Sequence, residues 1–265
     1  MSCSKYTVLD IPSNRKCQRL LHTIVFGTED CPACSGPLQY QDAYAWCRPC
    51  RKKVRVKAAC WLRHSKLSYR QVFILVLSWQ QRCTPGDIVT LVGLSYPTIE
   101  KWFGVFREHL PRDEGKLGGV AEMDESFFGK RKHGHQTLVA GVREREGAIR
   151  LRIIPDREEG TLETFLLEHV RADSKLHTDA FSSYQNIEWY GYAHEVCNHS
   201  RRQFSGTARQ ENVWSRAKRH IQKLYGRFHR PYLELLLKEW EARHNFPTLF
   251  TTPESYLRHC LFRFI

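Results

Sequence analysis

Four cysteines near the start of the chain constrain its fold more than any other feature. Cys31-Pro-Ala-Cys34 is followed, after twelve residues, by Cys47-Arg-Pro-Cys50. Each pair lets one tight turn present two thiolates to a single ion, and four thiolates complete the tetrahedron that Zn²⁺ prefers. We therefore predict a zinc ribbon with one structural zinc ion; the alternative is a set of free buried thiols. A catalytic zinc is disfavoured because four thiolates leave no open coordination position.

Positive charge is concentrated just after these cysteines. The 265-residue chain has a net charge of +13, and between Arg48 and Arg82 it has ten Lys/Arg and no acid. Such an excess favours an anionic polymer as partner, so we expect nucleic acid. The alternation Lys53-Val-Arg-Val-Lys57 predicts a strand with one cationic face, unless it is simply a solvated surface. The cations expected to contact DNA phosphates here are Arg48, Arg51, Lys52, Lys53, Arg55 and Lys57.

The apolar segments predict no membrane association. The longest apolar run, Val72 to Leu77, is far too short to cross a bilayer, and no secretory signal is visible. Short uninterrupted modules suit a bacterium, so we expect a cytoplasmic, nucleoid-associated protein with no membrane partner. In such a compartment, ten cysteines indicate metal ligands and buried thiols rather than disulfides.

The segment after the ribbon has the pattern of a helix-turn-helix. A helix from Asp87 to Val92 ends at Gly93, and Ser95 is placed to cap a second helix that runs to about His109. Helix, Gly-containing turn and helix is the layout of a DNA-reading motif. The alternative is a helical hairpin that only packs domains together. The residues that the second helix would present to a DNA groove are Tyr96, Thr98, Lys101 and Arg107.

The pattern changes after the linker Gly115-Lys-Leu-Gly-Gly119. Three strand-like segments, a helix, a strand, a short helix, another strand and two helices follow in that order. This order fits an α/β domain with a mixed sheet. We predict a multi-domain protein: a zinc ribbon with an N-terminal leader at 1–66, a helix-turn-helix domain at 67–112 and an α/β catalytic domain at 113–265.

Three acids in the α/β part have contexts suited to metal chemistry. Asp124 lies in a β-like run, Asp179 ends the strand candidate Lys175-Leu-His-Thr-Asp179, and Glu211 opens a helical segment. Carboxylates are the ligands that hard cations prefer, and two-metal phosphoryl transfer needs several of them. The candidate site is therefore Asp124, Asp179 and Glu211. Three cations that follow on the same helix would hold the DNA backbone: Arg216, Lys218 and Arg219.

Nearly the whole chain resembles the DDE transposases of bacterial insertion sequences that carry an N-terminal zinc ribbon, a group related to the eukaryotic Merlin elements. The matching pieces come in the same order along the chain. They are Val120-Ala-Glu-Met-Asp-Glu-Ser-Phe-Phe-Gly-Lys130, Ile153-Ile-Pro-Asp156, Thr178-Asp179-Ala180 with Tyr184, Asn198-His-Ser200, Glu211-Asn-Val-Trp-Ser-Arg-Ala-Lys-Arg219 and Leu237-Lys-Glu-Trp-Glu-Ala-Arg-His-Asn245.

The resemblance implies a ribonuclease H-like fold and a DDE site with two Mg²⁺ or Mn²⁺ ions. Asp124 matches the first acid of the family, Asp179 the second and Glu211 the third. Strand alternation puts Glu122 on the same face as Asp124, which makes it the main competitor, and Glu125 on the other face. The chain departs from the family pattern three residues before Glu211, where Ala208 stands in place of a frequent Asn.

The function expected from the resemblance is DNA transposition. The ribbon and helix-turn-helix would recognise terminal inverted repeats, and the α/β domain would hydrolyse the phosphodiester at the element end. The freed 3′-hydroxyl would then be joined to target DNA. Double-stranded DNA is thus the expected partner, with a homodimer or larger oligomer assembled on it. Two alternatives are a DNA-binding regulator with an inert transposase-like domain and a ribonuclease H-like nuclease that cuts without joining.

Overall fold

The computed structural model describes residues 7–129, 136–145, 147–179, 184, 186–197, 208–225 and 230–261. They form two compact units. One comprises the residues up to Pro111 together with those from Phe246 onward, and the other is Arg112–Asn245. The predicted boundaries differ from this division in two ways. The ribbon and the helices after it form a single unit, and the closing segment belongs to that unit rather than to the α/β domain.

A small three-stranded sheet carries the cysteines. Strands β1 (Leu38–Tyr40), β2 (Ala45–Cys47) and β3 (Lys52–Val54) pair antiparallel in the order β1-β2-β3. Strand β3 ends at Val54, and a 3-10 turn covers Val56–Ala59. The continuous cationic strand predicted for Lys53 to Lys57 is therefore wrong at its end, since Lys57 lies on the turn.

The rest of the first unit is helical. Ser68 accepts a hydrogen bond from the backbone N–H of Gln71, whose side chain in turn accepts from the Ser68 N–H, so a capping box starts the second helix. None of the described helices is long and apolar enough to cross a bilayer. The helices of this unit are α1 (Asn14–Phe26), α2 (Tyr69–Gln80), α3 (Val89–Val92), α4 (Tyr96–Glu108) and, at the end of the chain, α8 (Pro253–Cys260).

Helix α2 explains why the closing segment joins the first unit. Its residues from Val72 to Gln80 are all buried, so it needs partners on every side. The Gln80 amide donates to the carbonyl oxygens of Leu249 and Thr252, both at 2.7 Å. The sequence of the closing segment does not predict these contacts, because they join residues that are far apart in the chain.

The second unit contains a five-stranded mixed sheet with the order β6-β5-β4-β7-β8. The first three strands are antiparallel neighbours, whereas β7 and β8 run parallel to β4. The predicted α/β mixed sheet is thus confirmed. The elements are β4 (Val120–Phe128), β5 (Thr137–Glu144), β6 (Ile149–Ile153), α5 (Glu159–His169), β7 (Lys175–Asp179), β8 (Ala193–Cys197), α6 (Ala208–Tyr225) and α7 (Arg230–Asn245).

Helices cover both faces of this sheet. On one face, α5 packs through Phe165 and its neighbours against a set that includes Met123. On the other face, α6 and α7 pack against Phe128, Val139 and Leu151. Because side chains alternate along a strand, even-numbered residues of β4, among them Asp124, lie on the face that α6 and α7 cover.

Helix α7 also protects the sheet edge at β6. The Glu241 carboxylate accepts from the Leu151 N–H at 3.0 Å and from the Arg152 guanidinium at 2.9 Å. Asn245 pairs with both backbone groups of Ile149. Side chains of one helix therefore satisfy backbone groups that an edge strand would otherwise expose to other chains.

Candidate active site and metal centre

The parallel pairing of β4 and β7 brings two of the predicted acids to the same level. Glu122 pairs with His177 across these strands. Two residues further along each strand stand Asp124 and Asp179, so the same register places them side by side on one face. Neighbouring strands lie about 4.8 Å apart. Both aspartates are partly exposed, so a site between them is open to solvent.

Helix α6 reaches this site through a tryptophan. Trp214 donates its indole N–H to Oδ2 of Asp124 at 3.1 Å. Glu211 stands three residues earlier on the same helix, and residues three apart share one helix face. Glu211 is therefore one helical turn from Trp214, which contacts Asp124 directly. The Glu211 side chain itself lies outside the described part of the structure.

The two neighbouring glutamates have different surroundings from Asp124. Glu122 shares its face but is fully buried, with its carboxylate 3.8 Å from the Arg145 guanidinium. Glu125 lies on the opposite face, where the Arg157 guanidinium donates to its Oε2 from Nε at 2.9 Å and from Nη2 at 2.7 Å. Neither arrangement offers a solvent-accessible carboxylate on the α6 face, so Asp124 is the acid of this strand best suited to a metal.

Glu125 nevertheless belongs to the electrostatic surroundings of the site. Its side chain is 1% exposed. Burial raises the pKa of its carboxyl to about 7, the Arg157 guanidinium opposes this rise, and the charges of Asp124 and Asp179 add to it. Three carboxyl groups thus influence one another here, which is a setting where a divalent cation would relieve repulsion.

Cations line the exposed side of α6. Arg216, Lys218 and Arg219 are all exposed. The Lys218 ammonium lies 5.5 Å from the centroid of the Phe128 ring. Burial lowers the pKa of Lys218, and the charge of Asp124 opposes that shift. Lys218 and Asp124 therefore interact electrostatically.

The four predicted zinc ligands do come together. The sulfur atoms of Cys31, Cys34, Cys47 and Cys50 all lie within 4.8 Å of one another. This spacing suits one tetrahedral ion with thiolate ligands. Each knuckle closes with a residue in left-handed backbone geometry, Ser35 with φ 54° and Arg51 with φ 53°. The cluster can hold a metal ion, and the chemistry of four thiolates matches zinc.

Most of the predicted cations around the ribbon are exposed, but one is not available to a partner. The Lys57 ammonium donates to the backbone oxygen of Leu67 and lies 4.8 Å from the centroid of the Tyr69 ring. The prediction of a DNA contact for Lys57 does not fit this packing, because its charge is used inside the unit. The exposed members of the set are Arg48, Arg51, Lys52, Lys53 and Arg55.

The second helix of the expected helix-turn-helix is α4, and its predicted contacts divide in the same way. Tyr96 and Lys101 are exposed, and Thr98 is half-buried with its hydroxyl 2.9 Å from that of Ser95. Arg107 is fully buried, so the prediction that it faces a DNA groove is wrong. The sequence pattern of the helix does not reveal this, because burial depends on what packs against each helix face.

Comparison with known proteins identifies the second unit. A sequence model of the ISXO2-like transposase domain matches residues 112–245. These are the bounds of the second compact unit, Arg112–Asn245, and they span half of the chain. The chain belongs to the ISXO2-like transposase family.

A curated relative of this transposase has a matching description. It is an uncharacterized transposase-like protein of Haemophilus influenzae (strain ATCC 51907 / DSM 11121 / KW20 / Rd). The two are 34% identical over 99 residues, which cover 35% of this chain and 77% of the relative. The resemblance to insertion-sequence transposases is thereby confirmed.

Solved structures similar to the transposase include two retroviral integrase catalytic cores. The catalytic core domain of BIV integrase is 15% identical with a TM-score of 0.35, over 48% of this chain and 82% of that chain. The HTLV-2 integrase catalytic core domain in complex with magnesium is 11% identical with a TM-score of 0.34, over 56% of this chain and 99% of that chain. TM-scores this low do not establish a shared fold.

Two features of the transposase domain were not anticipated from its sequence. The first is Trp214, which is buried in the core and also hydrogen-bonded to Asp124. Its spacing of three residues from Glu211 is the local pattern that indicates such a contact. The pairing of Glu125 with Arg157 joins residues 32 apart in sequence, and no local pattern predicts it.

Some matching pieces of the resemblance lie outside the described residues. They are Lys130, Ala180 and the stretch Asn198-His-Ser200. Ala208 is the first residue of α6. The frequent Asn of the family would therefore stand at the start of the helix, one turn before Glu211.

Proposed function

We propose that this chain is a DNA transposase whose Asp124, Asp179 and Glu211 hold two Mg²⁺ or Mn²⁺ ions in a ribonuclease H-like domain. The observation that carries this proposal is the common level of the two aspartates on adjacent parallel strands, with helix α6 hydrogen-bonded to one of them. The strand order β6-β5-β4-β7-β8, with three antiparallel strands followed by two parallel ones, supports the fold assignment.

The donor set fits hard divalent cations. Asp124 and Asp179 are partly exposed carboxylates, and carboxylate oxygens are what Mg²⁺ and Mn²⁺ prefer. Metal ions bound there supply Lewis acidity and neutralise charge on the reacting phosphate. Lys218 and the exposed Arg216 and Arg219 hold the DNA backbone beside the acids, because phosphate contacts from Lys and Arg fix register on a duplex.

The reaction has two steps. Water attacks the phosphodiester at the element end; the P–O3′ bond on the element side breaks, which leaves a 3′-hydroxyl and a 5′-phosphate. The 3′-hydroxyl then attacks a phosphodiester of the target DNA in line, forming a new P–O bond as another breaks. Each step exchanges one P–O bond for another, so no covalent protein–DNA intermediate and no energy source are required.

The first unit recognises the terminal inverted repeats in this proposal. The cysteine cluster holds one structural Zn²⁺, and the exposed cations beside it contact phosphates, while Tyr96, Thr98 and Lys101 of α4 meet a groove. Lys57 and Arg107 are excluded from this role by their packing. Because two ends take part in one event, the transposase assembles on DNA as a dimer or larger oligomer, in the bacterial cytoplasm at the nucleoid.

A strand-transfer assay with labelled end DNA and Mn²⁺ tests the proposal. The full chain is expected to nick its own ends and to join them to target DNA. Asp124→Ala is expected to abolish both steps and to leave end binding intact. Nicking without joining would instead indicate a nuclease. End binding without either step in the wild-type chain would indicate a regulator, and cleavage retained by Asp124→Ala would remove Asp124 from the site.

A further inference from the structure

Both oxygens of the Asp124 carboxylate accept a hydrogen bond from a fixed donor. The Trp214 indole N–H donates to Oδ2 at 3.1 Å, and the backbone N–H of Glu125 donates to Oδ1 at 2.8 Å. The second donor belongs to the same strand and depends only on the backbone. The first comes from another element, so it depends on which residue stands at position 214.

The core holds the indole in place. Trp214 is 4% exposed, and its ring meets the Phe128 ring edge to face, with centroids 6.0 Å apart. A buried indole N–H needs an acceptor, because leaving it unpaired costs free energy. Asp124 is that acceptor, so the packing of α6 and the orientation of the carboxylate depend on each other.

The same hydrogen bond has consequences along the helix. Glu211 stands one turn before Trp214 and Lys218 one turn after it, and positions at this spacing share one face. A slide or rotation of α6 that broke the contact with Asp124 would also move positions 211 and 218 relative to β4. The orientation of Asp124 is therefore coupled to the placement of positions 211 and 218.

We propose that Trp214 is a positioning residue for metal binding: its indole N–H orients the Asp124 carboxylate and keeps α6 in register with β4. The inference rests on the proposed function, since it takes Asp124 to be a metal ligand. Trp214 itself touches neither metal nor DNA in this role. A tryptophan that served only the core would affect stability alone, whereas a positioning residue affects metal affinity at unchanged stability.

The test compares Mn²⁺ binding by the full chain and three variants, measured without DNA from the electron paramagnetic resonance signal of free Mn²⁺. Trp214→Phe removes the N–H and part of the ring. Replacement of Trp214 by 3-benzothienylalanine keeps the ring shape and removes only the N–H. Trp240→Phe is the matched control, because Trp240 packs on the same core cluster, where its ring meets that of His220.

Both changes at position 214 are expected to weaken Mn²⁺ binding about tenfold, the usual cost of losing a residue that orients a metal ligand. Trp240→Phe is expected to bind Mn²⁺ like the wild type. In the nicking assay, the Mn²⁺ concentration for half-maximal rate should rise by a similar factor. The rate at saturating Mn²⁺ should change less. Melting temperatures show whether each variant is folded.

The inference fails if the benzothienylalanine protein binds Mn²⁺ as tightly as the wild type, or if Trp240→Phe weakens binding equally. These outcomes differ from failure of the proposed function. Asp124→Asn should remove most Mn²⁺ binding, and if it does not, Asp124 is no ligand and both ideas fall. If Asp124-dependent Mn²⁺ binding is present but the wild type neither nicks nor joins DNA, only the transposase proposal falls.

Discussion

Glu122 and Asp124 stand two residues apart on one face of β4, but only Asp124 reaches solvent. The buried Glu122 carboxylate is 3.8 Å from Arg145. Glu122→Gln should therefore lower the free energy of unfolding by roughly 1–3 kcal/mol, the cost of disturbing a buried polar group. At temperatures where the variant is folded, its Mn²⁺ dependence in the nicking assay should match that of the wild type.

Asp124→Asn is the matched comparison for that prediction. It keeps an oxygen that can accept from Trp214, so it should leave the melting temperature almost unchanged while nicking is lost. The opposite pattern, a stable but inactive Glu122→Gln and an active Asp124→Asn, would transfer the metal-ligand role to Glu122.

A second prediction at the residue scale concerns His169, at the end of α5. Burial, together with the charges of Arg152, Arg150 and Lys116, lowers the pKa of this imidazole from 6.5 to about 4. Between about pH 4 and pH 6.5, His169 is therefore neutral in the folded chain but binds a proton in the unfolded chain. The stability that depends on neutral His169 is fully present above pH 6.5 and decreases as the pH falls towards 4.

His169→Phe removes this titration and keeps a ring beside Phe165, whose centroid lies 4.8 Å from that of His169. Urea unfolding at pH 7 and pH 5 should show a smaller loss of stability in the variant than in the wild type. Equal losses in the two proteins would mean that other groups account for the acid sensitivity.

At the scale of elements, α7 offers a test of how the sheet edge is protected. The Glu241 side chain is 5% exposed in the wild type. Glu241→Ala removes the carboxylate that accepts from the Leu151 N–H and from the Arg152 guanidinium. The expected loss is about 3 kcal/mol, because a buried charge-assisted pair is broken. Thermal unfolding and light scattering measure it, since an unprotected edge strand also promotes aggregation.

Glu234 on the same helix is the control for Glu241. It pairs with Arg112, and their side chains are 61% and 40% exposed. An exposed pair contributes at most about 1 kcal/mol, so Glu234→Ala should be nearly neutral. Similar losses in the two variants would show that helix α7 is sensitive to substitution in general, and that the edge contact is not special.

Local patterns predicted most elements of the second unit but not their partners. The strand predicted at 175–179 coincides with β7, Lys175–Asp179. The end of the cationic strand at Val54 was missed. Alternation along Lys53 to Lys57 continues in the sequence, whereas the backbone turns so that Lys57 packs on Tyr69.

At the scale of the whole molecule, the closing segment stabilises the first unit. Tyr256 is fully buried, and its ring centroid lies 5.1 Å from that of Trp79 and 5.8 Å from that of Phe106. A chain that ends at Asn245 loses these contacts and the two acceptors of Gln80. Burial of each large side chain contributes roughly 1.5–3 kcal/mol, so we expect α2 and α4 to become unstable.

Hydrogen exchange of the truncated chain measures this effect separately in each unit. Protection should fall in α2 and α4 and should persist in β4 and β5, whose core clusters contain no residue beyond position 245. Equal loss in both units would mean that the closing segment also supports the transposase domain. Unchanged protection in α2 would show that the segment is dispensable.

The sequence by itself determined the cysteine cluster, the order of strands and helices and the candidate acids. These depend on residue type and on spacing within one or two turns, where local geometry leaves few choices. The tertiary structure decided what lies beyond that range. It brought Asp124 level with Asp179, buried Arg107, turned Lys57 towards Leu67 and Tyr69, attached the closing segment to the first unit and joined Trp214 to Asp124. Such contacts depend on strand register and helix packing, which form only when distant parts of the chain meet.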